Sequence, residues 1–143
     1  GLEISDATPF ESDGRWWMTA TVSEEGGSSW DCLSLFTAPD RLGPWTRCGD
    51  GPAMIDASCA RPAGHVQMIG GALWRPAQDC VGGYGAGLAL CRIDHLGLKG
   101  FRQTLATRLG PPPGSPADGV HTLNVGGGFE FIDAVGREPK GGS

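Results

Sequence analysis

Apolar residues along this chain come in short bursts of about four to eight residues, cut by Gly, Pro, Asp and Ser. No burst sustains a helical period between two caps, so the pattern predicts strands joined by turns. Ala7 to Ser12 and Arg15 to Val22 flank Asp13-Gly14, the strongest short hairpin signal. Ser29 to Phe36 and Pro44 to Arg47 follow as a third and a fourth strand. The same order returns as Pro62 to Ile69, Ala72 to Gln78, Gly87 to Ile93 and Phe101 to Thr107. Gly70-Gly71 splits the first two of these, and Gly127-Gly128 splits a last pair, Val120 to Val125 and Phe129 to Asp133.

Successive turns lie 57 residues apart. The later halves correspond too: Leu33-Ser34-Leu35-Phe36 before Asp40-Arg41-Leu42 matches Leu88-Ala89-Leu90-Cys91 before Asp94-His95-Leu96. Periods of this size mark propellers, solenoids or arrays, and a recurring four-stranded unit is a propeller blade. The expected fold is all-β, with about two and a half β-propeller blades of four antiparallel strands. The units span 5–57, 58–109 and, partially, 119–135 of a single domain at 1–137. A Pro/Gly linker at 109–119 and a solvated tail at 138–143 complete the division. A β-sandwich is the competing all-β reading, and the matched second halves favour the propeller.

Composition narrows the function classes. A hydrophobic content of 39% can fill a core for 143 residues. The 25 glycines and 11 prolines are spread through turns, which suits a β-rich fold better than disorder. A net charge of −5 supplies no basic stripe, which speaks against nucleic acid as a partner. There is no apolar run long enough for a membrane span, and no signal peptide is expected. Cys32, Cys48, Cys59, Cys80 and Cys91 are an odd set without a CxxC pair, so reduced thiols and a cytoplasmic location are expected. His65, His95 and His121 are too dispersed for a zinc motif, and neither metal nor cofactor is expected. The loop Gly82 to Gly87 lacks the Gly-Lys-Ser/Thr of a phosphate cradle and reads as a turn.

Several motifs resemble a known family. Asp-Ala-Thr-Pro-Phe at 6–10, Asp-Gly-Arg-Trp-Trp-Met at 13–18 and Leu-Gly-Pro-Trp at 42–45 look like blade starts and turns of five-bladed propellers related to glycosidases. Arg61-Pro62-Ala63-Gly64, Arg75-Pro76-Ala77-Gln78-Asp79-Cys80, Tyr84-Gly85 and His121-Thr122-Leu123-Asn124 then occur in order. Together they resemble the glycosidase-like propeller domain at the N-terminus of glucosamine inositolphosphorylceramide transferases and related bacterial proteins. The resemblance runs from Asp6 to Asp133 and matches only the C-terminal half of that domain. It implies a partial five-bladed propeller and a carbohydrate-related scaffold. Transferase activity is not implied, because the glycosyltransferase part has no counterpart here.

In such a scaffold Asp6, Arg61 and His121 occupy similar positions before their hairpin turns and would converge on a channel mouth. Arg75, Gln78, Asp79 and Asn124 are expected to join them. Carboxylates and amides suit sugar hydroxyls, arginine suits an anionic group, and Tyr84 and Trp30 offer stacking faces. Blander roles stand beside these. Asp6 could cap a turn, Arg61 and Asp79 could pair as a structural ion pair, and His121 could serve as a hydrogen-bonded strut. Trp16, Trp17, Trp45 and Trp74 are expected to pack between blades, and Glu24-Glu25 to be solvated.

Three functions follow. A module binding a sugar or glycoconjugate needs only a polar pocket and an aromatic face. A glycoside hydrolase needs two carboxyl groups, here Asp6 and Asp79 with Glu11 in reserve. An assembly fragment would be completed by a second copy or by the missing propeller half, because open blades leave strand edges exposed.

Overall fold

Each of the three turns spaced along the sequence closes a hairpin through two residues. Asp13-Gly14, Gly70-Gly71 and Gly127-Gly128 hold positive φ at both central positions. That is the conformation a type I′ turn demands, and glycine or aspartate tolerates it. The computed structural model describes residues 2–23 and 29–136. Glu24-Glu25 and the tail at 138–143 lie outside the described residues.

Among the described residues the chain is all-β, without a helix. The first sheet runs β1 (Glu3–Ser12), β2 (Arg15–Ser23), β3 (Cys32–Ala38) and β4 (Thr46–Arg47), with β5 (Met54–Ile55) also paired to β3. The second runs β6 (Gln67–Ile69), β7 (Ala72–Asp79), β8 (Gly87–Gly97) and β9 (Gly100–Leu109). The last is a hairpin of β10 (Ala117–Gly126) and β11 (Phe129–Gly136). All pairings are antiparallel.

Several strands differ in extent from the sequence pattern. β3 starts at Cys32 instead of Ser29 and continues to Ala38, and Pro44 and Trp45 stay outside β4. The expected strand Pro62 to Ile69 keeps only Gln67–Ile69, with Pro62 held by a single bridge to Ala77. Pro62 has no N–H to give a ladder, and Gly64 turns the backbone at a φ of 145°. β8 and β9 extend beyond expectation by running through two irregularities of register. Residues 110–116 connect β9 to β10, inside the expected linker.

The sheets stack through alternate faces. Trp17 and Phe10, with Leu35, pack against Val66, just before β6, and Ile93 of β8. Burying each of these large side chains contributes about 1.5–3 kcal/mol. On the far face of the second sheet, Leu88 and Ala63 pack against Val120 of β10. The second sheet is therefore covered on both sides, and Arg75, Pro76, Ala77 and Gln78 are buried in succession along β7. Three layers do not fit a two-sheet sandwich. They do not close into a ring either: β11 is exposed along its whole length. Cys48, Cys59, Cys80 and Cys91 are free thiols.

Candidate functional site

The regular ladder breaks in each first strand at the residue that matters. In β1 the register slips between the pairs Ser5–Thr21 and Thr8–Thr19, and Asp6 takes a φ of 54°. The Thr8 hydroxyl holds the break by donating to the Asp6 carbonyl at 3.0 Å. In β10, His121 is the extra residue between the pairs Val120–Ala134 and Thr122–Asp133. Before β6, the Arg61 carbonyl still accepts the Gln78 N–H at 2.9 Å, while regular pairing resumes only at Gln67. Such bulges bend a strand and re-aim its side chain.

Re-aimed in this way, the side chains meet. Arg61 Nε lies 2.7 Å from Asp6 Oδ2, and both atoms are sealed from solvent. The Arg61 guanidinium sits over the Tyr84 ring, 4.9 Å from its centroid, a cation–π geometry. The Tyr84 hydroxyl is hydrogen-bonded to His121 Nε2. Gln78 Nε2 reaches the same ring nitrogen at 3.2 Å, and His121 Nδ1 faces Asp133 Oδ2 at 3.6 Å. Trp30 extends the aromatic surface, its ring 6.1 Å from Tyr84. The cluster thus draws on all three layers, at the end of the strands opposite the hairpin turns. A cleft of about 490 Å³ lined by Ser12, Asp13, Gly71 and His95 lies instead at the turn end.

Local structure sets the entry into Arg61. The Asp56 carbonyl accepts the N–H groups of Cys59 and Ala60, at 3.2 and 2.8 Å. Its carboxylate accepts the Ser58 N–H at 2.8 Å. The Ser58 hydroxyl and amide hold the Asp56 carboxyl below its ordinary value of 3.8.

The other residues singled out in the sequence go elsewhere. Arg61 does not pair with Asp79; Asp79 is ion-paired with Arg108 and accepts the Val81 N–H at 3.1 Å. Its partner is Asp6 because the β1 bulge brings that carboxylate across from the neighbouring sheet. Arg75 is fully buried between the first two sheets, where it donates to Gln103 Oε1 at 3.0 Å and to the carbonyls of Cys59 and Ala60 at 2.5 and 3.0 Å. Burial pushes its guanidinium down to about 10, against an opposing pull from the Cys91 and Cys59 thiols. Asn124 fastens two layers together by accepting the His65 N–H at 3.0 Å. Glu11 is exposed beside the Asp13-Gly14 turn, at the wrong end. Asp133 is the member the sequence did not show, because its place opposite His121 depends on the β10 bulge.

No family model matches the chain, and neither does a solved structure. Curated relatives do match. Glucosamine inositolphosphorylceramide transferase 1 of Oryza sativa subsp. japonica and that of subsp. indica are each 31% identical over 103 residues, or 70% of this chain. The chain is therefore related to that family through an all-β segment. It spans only 14% of the length of either rice protein.

Proposed function

We infer that the chain is part of a β-propeller and that its polar cluster binds a sugar or glycoconjugate. The observation that carries this reading is the meeting of Asp6, Arg61, Tyr84, Gln78, His121 and Asp133 from three successive layers. Hydroxyl-bonding groups beside exposed aromatic faces are the usual furniture of a sugar site. The relation to proteins named for glucosamine and inositolphosphorylceramide supports a carbohydrate ligand.

Binding is favoured over hydrolysis by the state of the two candidate carboxylates. Asp6 and Asp79 are each engaged by an arginine, Arg61 and Arg108. A glycosidase needs one of its pair to carry a proton to the leaving oxygen. The test is to titrate a panel of glycans by calorimetry while assaying released reducing sugar. We expect binding without release, weakened about tenfold by Tyr84→Ala. Sugar release that disappears in Asp79→Asn would establish the hydrolase reading instead.

A second reading, assembly with another polypeptide or a second copy, is favoured by the open side of β11. Phe129, Phe131 and Val135 are 68%, 60% and 53% exposed there. Apolar side chains on an unpaired edge strand invite a partner strand.

A further inference from the structure

Charge at the cluster is already spent inside it. The Arg61 side chain is only 10% exposed, its Nε is fixed on Asp6, and its flat face is covered by Tyr84. It offers no free positive charge to a ligand. The Asp79–Arg108 pair beside the cluster is likewise neutral. What remains on the outside is the Asp133 carboxylate, 61% exposed, so the neutral-imidazole form of the cluster carries a net negative charge.

Hydrogen-bond directions point the same way. Cys80 Sγ donates to Gln78 Oε1 at 3.8 Å, which turns the Gln78 amide nitrogen toward His121 Nε2. That nitrogen is then an acceptor whose single lone pair is shared by the Gln78 amide and the Tyr84 hydroxyl, and the ring proton sits on Nδ1 toward Asp133. With its proton committed inward, the Tyr84 oxygen faces outward as an acceptor. Tyr84 is 49% exposed, and Trp30, 45% exposed, stands beside it. The accessible oxygens of Tyr84 and Asp133 are acceptors and the accessible flat surface is aromatic.

We propose that this cluster selects uncharged, hydroxyl-rich sugars over sugars bearing a carboxylate, with Tyr84 and Asp133 accepting from ligand hydroxyls. The proposal rests on the sugar-binding reading above. Hydroxyls donate to both acceptors, and the aliphatic face of a pyranose covers Trp30. A uronate would bring a second carboxylate to Asp133, while the nearby arginines, Arg61 and Arg108, are already paired with Asp6 and Asp79.

The experiment compares methyl glucoside with methyl glucuronide, and methyl galactoside with methyl galacturonide, by calorimetric titration of the full chain at matched ionic strength. We expect the neutral member of a bound pair to bind about tenfold tighter, and less so at high salt. Tyr84→Phe keeps the ring and removes the acceptor, and should weaken the neutral sugar about five- to tenfold. Asp133→Asn, at an exposed position, should shrink the discrimination to about threefold or less by strengthening uronate binding. Tighter binding of the uronate, or discrimination unchanged in Asp133→Asn, overturns the selectivity and leaves the sugar site standing. Failure of all four sugars to bind overturns the sugar site and the selectivity with it.

Discussion

At the scale of single residues, the charged groups of this chain divide by whether a fold element or the cluster claims them. Arg75 is a cation held by uncharged acceptors, three oxygens from Gln103, Cys59 and Ala60, with its second terminal nitrogen unpartnered. Arg75→Ala leaves a cavity between two sheets and orphans the Ala60 carbonyl. It should cost about 3–5 kcal/mol, read from urea unfolding. Asp56 acts through protons. Its carboxyl is held below 3.8 in the folded chain, so the folded state favours the ionised form. The stability it adds is present above its unfolded value and is lost as pH falls through its folded one. Stability measured from pH 5 down to about pH 2 should therefore fall less steeply in Asp56→Asn than in the parent chain. Both roles were invisible in sequence: Arg75 stands in a run that reads as ligand-binding, and Asp56 in an ordinary Asp-Ala-Ser turn.

At the scale of elements, close backbone approach decides where the site loop lies. A Cβ at Gly119 would come within 2.0 Å of the Gly85 carbonyl oxygen. Only glycine lets β10 pass so near the loop that carries Tyr84. Gly119→Ala should part them, lowering stability by about 1–3 kcal/mol and weakening the proposed sugar binding along with the Tyr84–His121 contact. Unfolding curves and calorimetry on the same variant check both effects. The glycine stood in what reads as a flexible linker, and nothing local distinguishes a spacer glycine from one pressed against a neighbouring loop. The hairpins were legible because a two-residue turn is a local event. The bulges at Asp6 and His121 were not, because a bulge is a mismatch between two strands and shows only once both are paired.

At the scale of the whole molecule, the three layers bury one side of the last hairpin and leave the other to solvent. Among the described residues, β11 carries Phe129, Phe131, Ile132 and Val135 on an edge with no third strand, whereas β2 and β7 each have one in β3 and β8. If this edge pairs with another chain, sedimentation should show mass rising with concentration. Phe129→Asp with Phe131→Asp should hold the chain at monomer mass while leaving its unfolding midpoint nearly unchanged, since both residues are exposed. A monomer at all concentrations in the parent chain would remove self-association and leave a different partner for that edge.

The amino-acid sequence by itself determined what depends on near neighbours: an all-β chain, hairpins at Asp13-Gly14, Gly70-Gly71 and Gly127-Gly128, and the polar residues Asp6, Arg61, Tyr84 and His121 as ones to follow. Tertiary structure alone decided which of them touch. Pairing Arg61 with Asp6 instead of Asp79, sinking Arg75 between two sheets and setting Asp133 against His121 all depend on how separate sheets stack and on the register of their bulges. Those are long-range choices, made by the packing of faces such as Trp17 on Val66 and Leu88 on Val120. No short stretch of sequence contains both sides of such a contact.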